Sequence, residues 1–212
     1  MMETATPASK LVILAGSAGA LDPIRSVFRK LSESPFDLAV LVATHGHEEH
    51  PTRNFLDILS KDAGKRVLET RHRLEIKSGE IYVASIGAHL TFGGGTFIEQ
   101  VGPKSRHWRP AIDDIVRSAA RHFGERLMVV ILSGAMDDGI AGLTEVWQVG
   151  GKVVVQDPGD ARFSSMPWAA ILRDHPDLVA PTEYIGTAVR AFDNPALVAH
   201  ADEEQVEYSV RQ

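Results

Sequence analysis

The stretch LVILAGSAGAL, residues 11–21, decides the fold class of this chain. Leu11–Ala15 is a short apolar run without polar alternation, which is typical of a parallel strand covered on both faces. A turn of small residues follows, and the amphipathic pattern over Leu21–Leu31 then predicts a helix. A buried strand that turns directly into a helix is the first half of a βαβ unit, so the stretch favours an α/β protein.

The same alternation continues along the chain. Further buried strands are predicted over Leu38–Ala43, Leu127–Leu132 and Lys152–Gln156, and further helices over Arg53–Lys61, Ala111–Phe123 and Gly139–Val149. Right-handed crossovers between such strands give a doubly wound, mostly parallel sheet with helices on both faces. Residues 81–100 break this rhythm, because IYVAS, HLTF and TFIEQ predict an antiparallel hairpin insertion that turns at the glycines 93–95.

The length of 212 residues suits one domain. We expect this domain to cover residues 1–192, with its strand core starting at about residue 11, and a polar tail to cover residues 193–212. The sequence contains no cysteine, which excludes disulfides, zinc–thiolate sites and a cysteine nucleophile.

Charge and hydropathy argue against two kinds of partner. The net charge is -6, from 22 basic and 28 acidic residues, and no run of lysine and arginine stands out, so we expect no nucleic-acid partner. No segment approaches the ~20 apolar residues of a membrane span. The N-terminal residues also lack the apolar core of a signal peptide. We therefore expect no membrane insertion and a cytoplasmic location.

Ser17 stands in the loop after the first predicted strand, where ligands gather in an open α/β sheet. Ala15 and Gly19 on either side permit a tight turn, so the loop is close to a G-x-S-x-G nucleophile elbow with alanine in place of the first glycine. Ser17 is therefore a candidate nucleophile. Two other interpretations remain at this point: a serine that caps the following helix, and a phosphate-binding loop, although both glycine-rich phosphate motifs are absent.

Asp137 and Asp138 stand in the loop LSGAMDDGIAGL, residues 132–143, directly before Gly139. One interpretation is structural, because an acidic residue at a helix N-terminus is stabilised by the helix dipole. The other is catalytic, because a carboxylate held at a strand end can orient an imidazole. Small residues around the pair could also free backbone N–H groups to stabilise an oxyanion.

The loop THGHEEH, residues 44–50, has two interpretations. His45, His47 and His50 are spaced like the zinc ligands of metallo-β-lactamase-fold hydrolases, in which the metal activates water. That fold needs several antiparallel strands before the loop, whereas one strand and one helix precede it here, and no downstream histidine lies in a ligand motif. The other interpretation is a polar loop that leads into a helix started by Pro51.

Six blocks in sequence resemble the catalytic domain of the CheB-type chemotaxis receptor methylesterases. The blocks are LAGSAGAL (14–21), VLVATH (40–45), KSGEIYVASIGAHLTF (77–92), RHWRPAIDDIVRSAA (106–120), VVILSGAMDDGIAGL (129–143) and VVVQDPGDARFSSMPWAAI (153–171). The resemblance extends from about Leu11 to about Phe192. It implies a Rossmann-like α/β fold.

The resemblance also implies a catalytic triad, which in that family is formed by serine, histidine and aspartate. The matching residues here are Ser17, His45 and Asp138. The implied reaction is hydrolysis of a glutamate γ-methyl ester on a chemoreceptor-like or other signalling protein, with release of methanol. Deamidation of glutamine at such sites is a second activity of some members. No metal and no other cofactor is implied.

Further site residues are implied by position. The candidates for the oxyanion hole and the substrate pocket are Ala18, Ala135, Met136, Arg109 and Met166. Arg109 and Asp113 lie at the start of a predicted helix, so the competing interpretation for them is helix initiation with an N-terminal carboxylate.

The chain departs from the usual family pattern at several points. Ala18 replaces a common threonine, Ala135 replaces a common methionine, and the loop after His45 carries extra charge. We expect no receiver domain, because only about ten residues precede the first strand. These features resemble the free-standing, CheB-like branch of the family. Two alternatives to a serine esterase stay open: a metal-dependent hydrolase that uses His45, His47 and His50, and a signalling module without turnover.

Overall fold

The computed structural model describes residues 7–44, 53–102, 110–135, 137–173 and 175–197. The strands of these residues are β1 (Leu11–Gly16), β2 (Ala39–Thr44), β3 (Val67–Glu69), β4 (Ile81–Val83), β5 (His89–Gly93), β6 (Thr96–Gln100), β7 (Leu127–Ile131), β8 (Lys152–Gln156) and β9 (Leu178–Ala180). The α-helices are α1 (Leu21–Ser32), α2 (Arg53–Ala63), α3 (Ile112–Phe123), α4 (Leu143–Gln148), α5 (Ser165–Arg173) and α6 (Thr182–Asp193). Short 3₁₀ turns cover Gly124–Arg126 and Pro195–Leu197.

Seven of the described strands form one parallel sheet in the order β3-β4-β2-β1-β7-β8-β9. The predicted α/β fold with a mostly parallel sheet is thereby confirmed. From β1 the chain first builds the sheet towards β3 and then returns to build the other side from β7 to β9. The strand order therefore reverses beside β1, and a crevice at such a switch point is where open α/β sheets bind ligands.

Both faces of the sheet are covered, as the apolar run in β1 predicted. Leu11, Ile13 and Ala15 face a core that α3, α4, α5 and the β5–β6 hairpin close. Val12 and Leu14 face a second core that α1, α2 and α6 close. All five side chains are fully buried, so neither face of the strand tolerates a polar residue. Full burial of one Val, Leu or Ile stabilises the fold by roughly 1.5–3 kcal/mol.

The predicted hairpin insertion is shorter than expected. β5 and β6 pair antiparallel around Gly94 and Gly95 and pack on α3, where Phe92 meets Phe123 edge to face at 5.8 Å between ring centroids. The expectation that Ile81 belongs to this hairpin is wrong. Ile81–Val83 is the buried strand β4, which pairs parallel with both β2 and β3 in the main sheet.

One predicted helix begins later than expected. The pattern over Gly139–Val149 gives only α4, which runs from Leu143 to Gln148, whereas Asp138–Gly142 forms turns. Gly139 has a φ of 99°, a left-handed conformation that glycine adopts without strain and that interrupts a helix. Edge strands β3 and β9 and helices α5 and α6 were not predicted as separate elements.

α6 ends at Asp193, the first residue of the expected tail, and the turn Pro195–Leu197 follows. Residues 198–212 lie outside the described residues, so the polar tail stays a prediction. In the described part of the chain, no helix is long and apolar enough to cross a bilayer.

Candidate active site

The Ser17 loop is fixed by contacts with the end of the neighbouring strand β7. Ser17 is partly buried and Ala18 is exposed. The Ser17 N–H donates to the carbonyl oxygen of Ser133 at 3.0 Å, and the Ser17 carbonyl accepts from the N–H of Ala20 at 3.1 Å. Ala20 is the N-cap of α1 and no side chain caps that helix, so the interpretation of Ser17 as a helix cap is wrong. Towards the residues that the structure describes, the Ser17 hydroxyl makes no hydrogen bond.

Ser133 connects three segments around this loop. It is fully buried, and its hydroxyl donates to the carbonyl of Ala18 at 2.8 Å while accepting from the N–H of Phe163 at 3.0 Å. Its own N–H donates to the side-chain oxygen of buried Gln156 at 2.8 Å. Neither Ser133 nor Gln156 was predicted as a site residue from the sequence. The only available signal was their position as polar residues at the ends of buried strands.

Asp138 lies at the N-terminus of α3 rather than at that of the helix that follows it. Its side chain is buried, and its two carboxylate oxygens accept the N–H groups of Ile112 at 2.8 Å and Asp113 at 3.1 Å. α3 needs this cap because its N-cap residue, Ala111, has no side-chain acceptor. The helix N-terminus and the two donors stabilise the negative charge of Asp138. Asp137 is exposed instead, 3.9 Å from the guanidinium of Arg173.

Met166 packs against the loop that carries Asp138. Met166 is buried, and its N–H donates to the carbonyl of Gly134 at 3.0 Å. A Cβ placed on Gly134 would lie 2.6 Å from the Met166 sulfur and 3.3 Å from the Ser17 Cβ. A Cβ placed on Gly139, the residue after Asp138, would lie 3.7 Å from the Met166 methyl carbon. The Met166 side chain thus lies against both Gly134 and Gly139 of the loop after β7, and Gly134 in turn lies beside Ser17.

The remaining predicted residues divide into two groups. Ala135 is described and exposed. His45, Arg109 and Met136 lie outside the described residues, so their predicted roles stay predictions. The last described residue before His45 is Thr44, which pairs with Gly16, the residue before Ser17.

The metal interpretation finds no support in the described residues, where no group of three or more His, Asp or Glu side chains could hold an ion. His72 accepts the N–H of Glu99 at 3.3 Å, and His89 lies 4.0 Å from Asp114. Burial, with a smaller contribution from the charge of Arg126, lowers the pKa of His122. The loop with His45, His47 and His50 lies outside the described ranges, as does His107.

Comparisons with known proteins agree on one family. Residues 12–189 match the family model described as CheB methylesterase. The protein-glutamate methylesterase FrzG of Myxococcus xanthus is 32% identical over 184 residues, which are 86% of this chain and 54% of FrzG. A putative protein-glutamate methylesterase/protein-glutamine glutaminase of Leptospira interrogans is 31% identical over 175 residues, which are 82% of this chain and 90% of that protein.

Longer relatives match over one part of their length. The protein-glutamate methylesterase/protein-glutamine glutaminase 1 of Burkholderia pseudomallei is 34% identical over 187 residues, which are 50% of its length. The chain thus spans about half the length of this relative and of FrzG. Among solved structures, the CheB methylesterase catalytic domain of Thermotoga maritima superposes with a TM-score of 0.77 at 25% identity, over 85% of this chain and 96% of that one.

Proposed function

This chain belongs to the CheB methylesterase family, and we propose on that basis that it hydrolyses glutamate γ-methyl esters on a signalling protein and releases methanol. The substrate would be a methylated chemoreceptor or a protein that is modified in the same way. Release of ammonia from glutamine at such positions is a second proposed activity, since the names of the Leptospira and Burkholderia relatives include it. We also propose the cytoplasmic location that the sequence predicts.

One observation carries the proposal: the loops after β1 and β7 are bound to each other where the strand order reverses. The hydrogen bond from the Ser17 N–H to the Ser133 carbonyl, at 3.0 Å, joins the two loops. The β7 loop continues to buried Asp138. The β2 loop starts beside Ser17 as well, because Thr44 pairs with Gly16. Ser17, His45 and Asp138 thus follow three adjacent strands of one sheet.

The proposed reaction assigns one role to each member of this triad. His45 takes the proton of the Ser17 hydroxyl as its oxygen attacks the ester carbonyl. Asp138 fixes the tautomer of His45 and stabilises the imidazolium. The tetrahedral intermediate collapses, and methoxide leaves with the proton from His45 as methanol. Water then gives a proton to His45, attacks the acyl-enzyme and releases the glutamate carboxylate, and Ser17 recovers its proton.

The pocket candidates complete this proposal. Backbone N–H groups near Ala18, Ala135 and Met136 would stabilise the oxyanion of the tetrahedral intermediate. Met166 would form the wall between nucleophile and aspartate, and Arg109 would border the substrate groove. The reaction needs no metal and no other cofactor.

Ser17→Ala tests the proposed nucleophile. We expect this variant to lose methanol release from a protein substrate with methyl-esterified glutamates, because no other group would form the acyl-enzyme. Stability should stay near that of the wild type, since the Ser17 hydroxyl makes no hydrogen bond with the described residues. Ser9→Ala, at an exposed position remote from the site, is the control and should keep full activity.

Two further measurements separate the proposal from its alternatives. A fluorophosphonate probe should label the wild type at Ser17 and leave Ser17→Ala unlabelled. A chelator should not change the rate, whereas a metal-dependent hydrolase would lose it. A normal rate for Ser17→Ala would refute the proposed function.

A further inference from the structure

We propose that Asp113 is a positioning residue that holds the Asp138 carboxylate in its working orientation. This inference rests on the proposed function, because it assumes that Asp138 orients the general base. Asp113 lies in the first turn of α3 and its side chain is 1% exposed. Its ordinary role in that position would be to interact favourably with the dipole of its own helix.

Among the described residues, the Asp113 carboxylate binds backbone groups that lie outside its own helix. One carboxylate oxygen of Asp113 accepts the N–H of Gly139 and the N–H of Gly142, each at 3.0 Å. Asp138 in return accepts the N–H groups of Ile112 and Asp113. The two aspartates therefore exchange four hydrogen bonds, in which the carboxylate of each one binds the backbone of the segment that carries the other.

The backbone of the Asp138 loop lies unusually close to α3. A Cβ on Gly139 would meet the Ile112 side chain at 2.7 Å, and a Cβ on Gly142 would meet the Val116 side chain at 2.9 Å. Only glycine fits at these contacts, and Asp113 supplies the polar attraction that keeps the loop there. Without Asp113, two buried N–H groups would lose their acceptor, which costs roughly 1–3 kcal/mol for each group in the unchanged geometry.

Two different side chains thus fix the position of Asp138. Its own carboxylate binds α3 directly, and Asp113 holds the backbone on the C-terminal side of Asp138. A carboxylate has about four lone-pair sites, so it can accept an imidazole N–H in addition to two backbone N–H groups. Loosening the loop would move that acceptor relative to His45 while leaving the substrate groove intact. Removal of the Asp113 carboxylate should therefore lower kcat and leave KM almost unchanged.

The decisive experiment is a double-mutant cycle between Asp113→Ala and Asp138→Asn in the full chain. Asp113→Ala alone should lower kcat roughly 10- to 100-fold, the scale of a small misplacement of a reacting group, with KM within about twofold. In the Asp138→Asn background the same change should have almost no further effect on kcat, because the residue through which it acts is already disabled. Asp113→Asn, which retains an acceptor oxygen, should recover most of the wild-type kcat.

Asp114→Ala is the matched control. Asp114 is the next residue of the same helical turn, and its side chain is 37% exposed. Like Asp113, Asp114 is near the dipole of α3, but it makes none of the four exchanged hydrogen bonds. The kcat of Asp114→Ala should therefore equal that of the wild type. If Asp113→Ala does not fold, Asp113→Glu takes its place in the cycle, since the longer side chain keeps the charge and displaces the acceptor.

A readout without activity separates this inference from the proposed function. Amide hydrogen exchange at Gly139 and Gly142 should accelerate in Asp113→Ala and stay slow in Asp113→Asn and Asp114→Ala. Slow exchange in Asp113→Ala overturns the positioning role, and so does a loss of kcat that is undiminished in the Asp138→Asn background. An inactive wild type with accelerated exchange in Asp113→Ala would contradict the proposed function and leave the structural link between Asp113 and the Asp138 loop standing.

Discussion

Gly134 shows how closely the two loops of the candidate site approach each other at a single residue. Its N–H donates to the Phe163 carbonyl at 2.9 Å, and its carbonyl accepts the Met166 N–H at 3.0 Å. The place of a Cβ is already filled by Met166, and the Ser17 Cβ would lie only 3.3 Å away. Because both backbone groups are bound, the main chain cannot withdraw to make room for a side chain.

We therefore predict that Gly134→Ala lowers both stability and esterase activity. The added methyl group must displace the Met166 sulfur or the Ser17 loop, and such overpacking typically costs about 1–3 kcal/mol. Denaturant unfolding and kcat for methanol release measure the two effects. kcat should fall even under conditions in which the variant is fully folded, because Ser17 itself is shifted.

Gly93→Ala is the control for this substitution. A Cβ at Gly93 would meet Ile98 at 3.4 Å, an ordinary van der Waals distance. This variant should retain its activity and lose no more than about 1 kcal/mol of stability. Equal behaviour of the two variants would contradict the claim that a side chain at position 134 displaces Met166 or the Ser17 loop.

Asp138 combines two roles at one residue. It caps α3 with both carboxylate oxygens, and it is the proposed third member of the triad. A buried carboxylate needs such partners, because an uncompensated charge in the interior is strongly unfavourable. The helix cap therefore does not argue against the catalytic role. It supplies hydrogen bonds that stabilise an ionised Asp138, and the proposed catalytic role requires that ionised form.

At the scale of elements, α6 also receives its N-terminal cap from a distant loop. Asp160 accepts the N–H of Thr182 at 2.9 Å and is hydrogen-bonded to the Thr182 hydroxyl. The side-chain amide of Gln156 donates to the same Asp160 oxygen at 2.8 Å, and its oxygen accepts the Ser133 N–H. The start of α6 is thus connected through Gln156 to the residue that holds the Ser17 loop.

This cap predicts a pH dependence of stability. Burial raises the pKa of Asp160, but hydrogen bonds from the Thr182 hydroxyl, the Gln156 amide and the Thr182 N–H outweigh burial and hold that pKa below the ordinary value of 3.8. Because the folded pKa is the lower one, the unfolded chain binds more protons as the pH falls. The stabilisation is therefore complete above the unfolded pKa and is lost as the pH falls through the folded pKa.

Asp160→Asn should reveal the pH-dependent stabilisation by Asp160, because an asparagine side chain does not titrate. The difference in unfolding free energy between wild type and variant should be constant above about pH 5 and shrink as the pH falls below the ordinary aspartate pKa. Urea unfolding at a series of pH values measures it. A difference that does not change between about pH 6 and about pH 3 would contradict the assigned cap.

The longer strands in the middle of the sheet could be predicted from the sequence, and the places of the three-residue strands β3, β4 and β9 could not. β1 and β8 are continuous apolar runs because helices cover both of their faces. β3 and β9 have three residues each and are only partly buried, which leaves no run to detect. β4 was assigned to the wrong sheet, because three buried residues carry no information about the partner strand.

For the candidate site, the positions of two residues could be predicted from the sequence, but the contacts that hold them could not. Ser17 and Asp138 follow predicted buried strands, so the carboxyl-end rule for α/β sheets places them on one edge. The contacts of Ser133 and Asp113 were not predictable, because their partners lie 115 and 26 residues away in the chain. A serine after a strand and an aspartate in a first helical turn each have a sufficient local role at that position. The sequence therefore gives no reason to expect a tertiary contact for either.

At the scale of the whole molecule, the carboxyl ends and the amino ends of the parallel strands have different tasks. The carboxyl ends of β1 and β7 carry Ser17 and Asp138, whereas the amino ends are held by the last turn of α6. Lys10 donates to the carbonyls of Phe192 and Asp193 at 2.7 and 3.0 Å. The Asp193 carboxylate accepts the N–H of Leu38, directly before β2, at 3.0 Å. α6 has 12 residues, and at 1.5 Å per residue it spans about 18 Å between the two ends of the strands.

Asp193→Ala should therefore separate stability from catalysis. The substitution leaves the N–H groups of Asp37 and Leu38 without their acceptor and should cost about 1–2 kcal/mol in denaturant unfolding. kcat and KM of the folded fraction should stay at wild-type values, because Asp193 is the last residue of α6, whereas the connection from α6 to the Ser17 loop is made by Thr182 at its start. The control Asp22→Ala, whose side chain is 86% exposed, should change stability by less than about 0.5 kcal/mol. A fall in kcat for fully folded Asp193→Ala would show that the two ends of the strands are coupled through the sheet. The division of tasks between these ends would then be wrong.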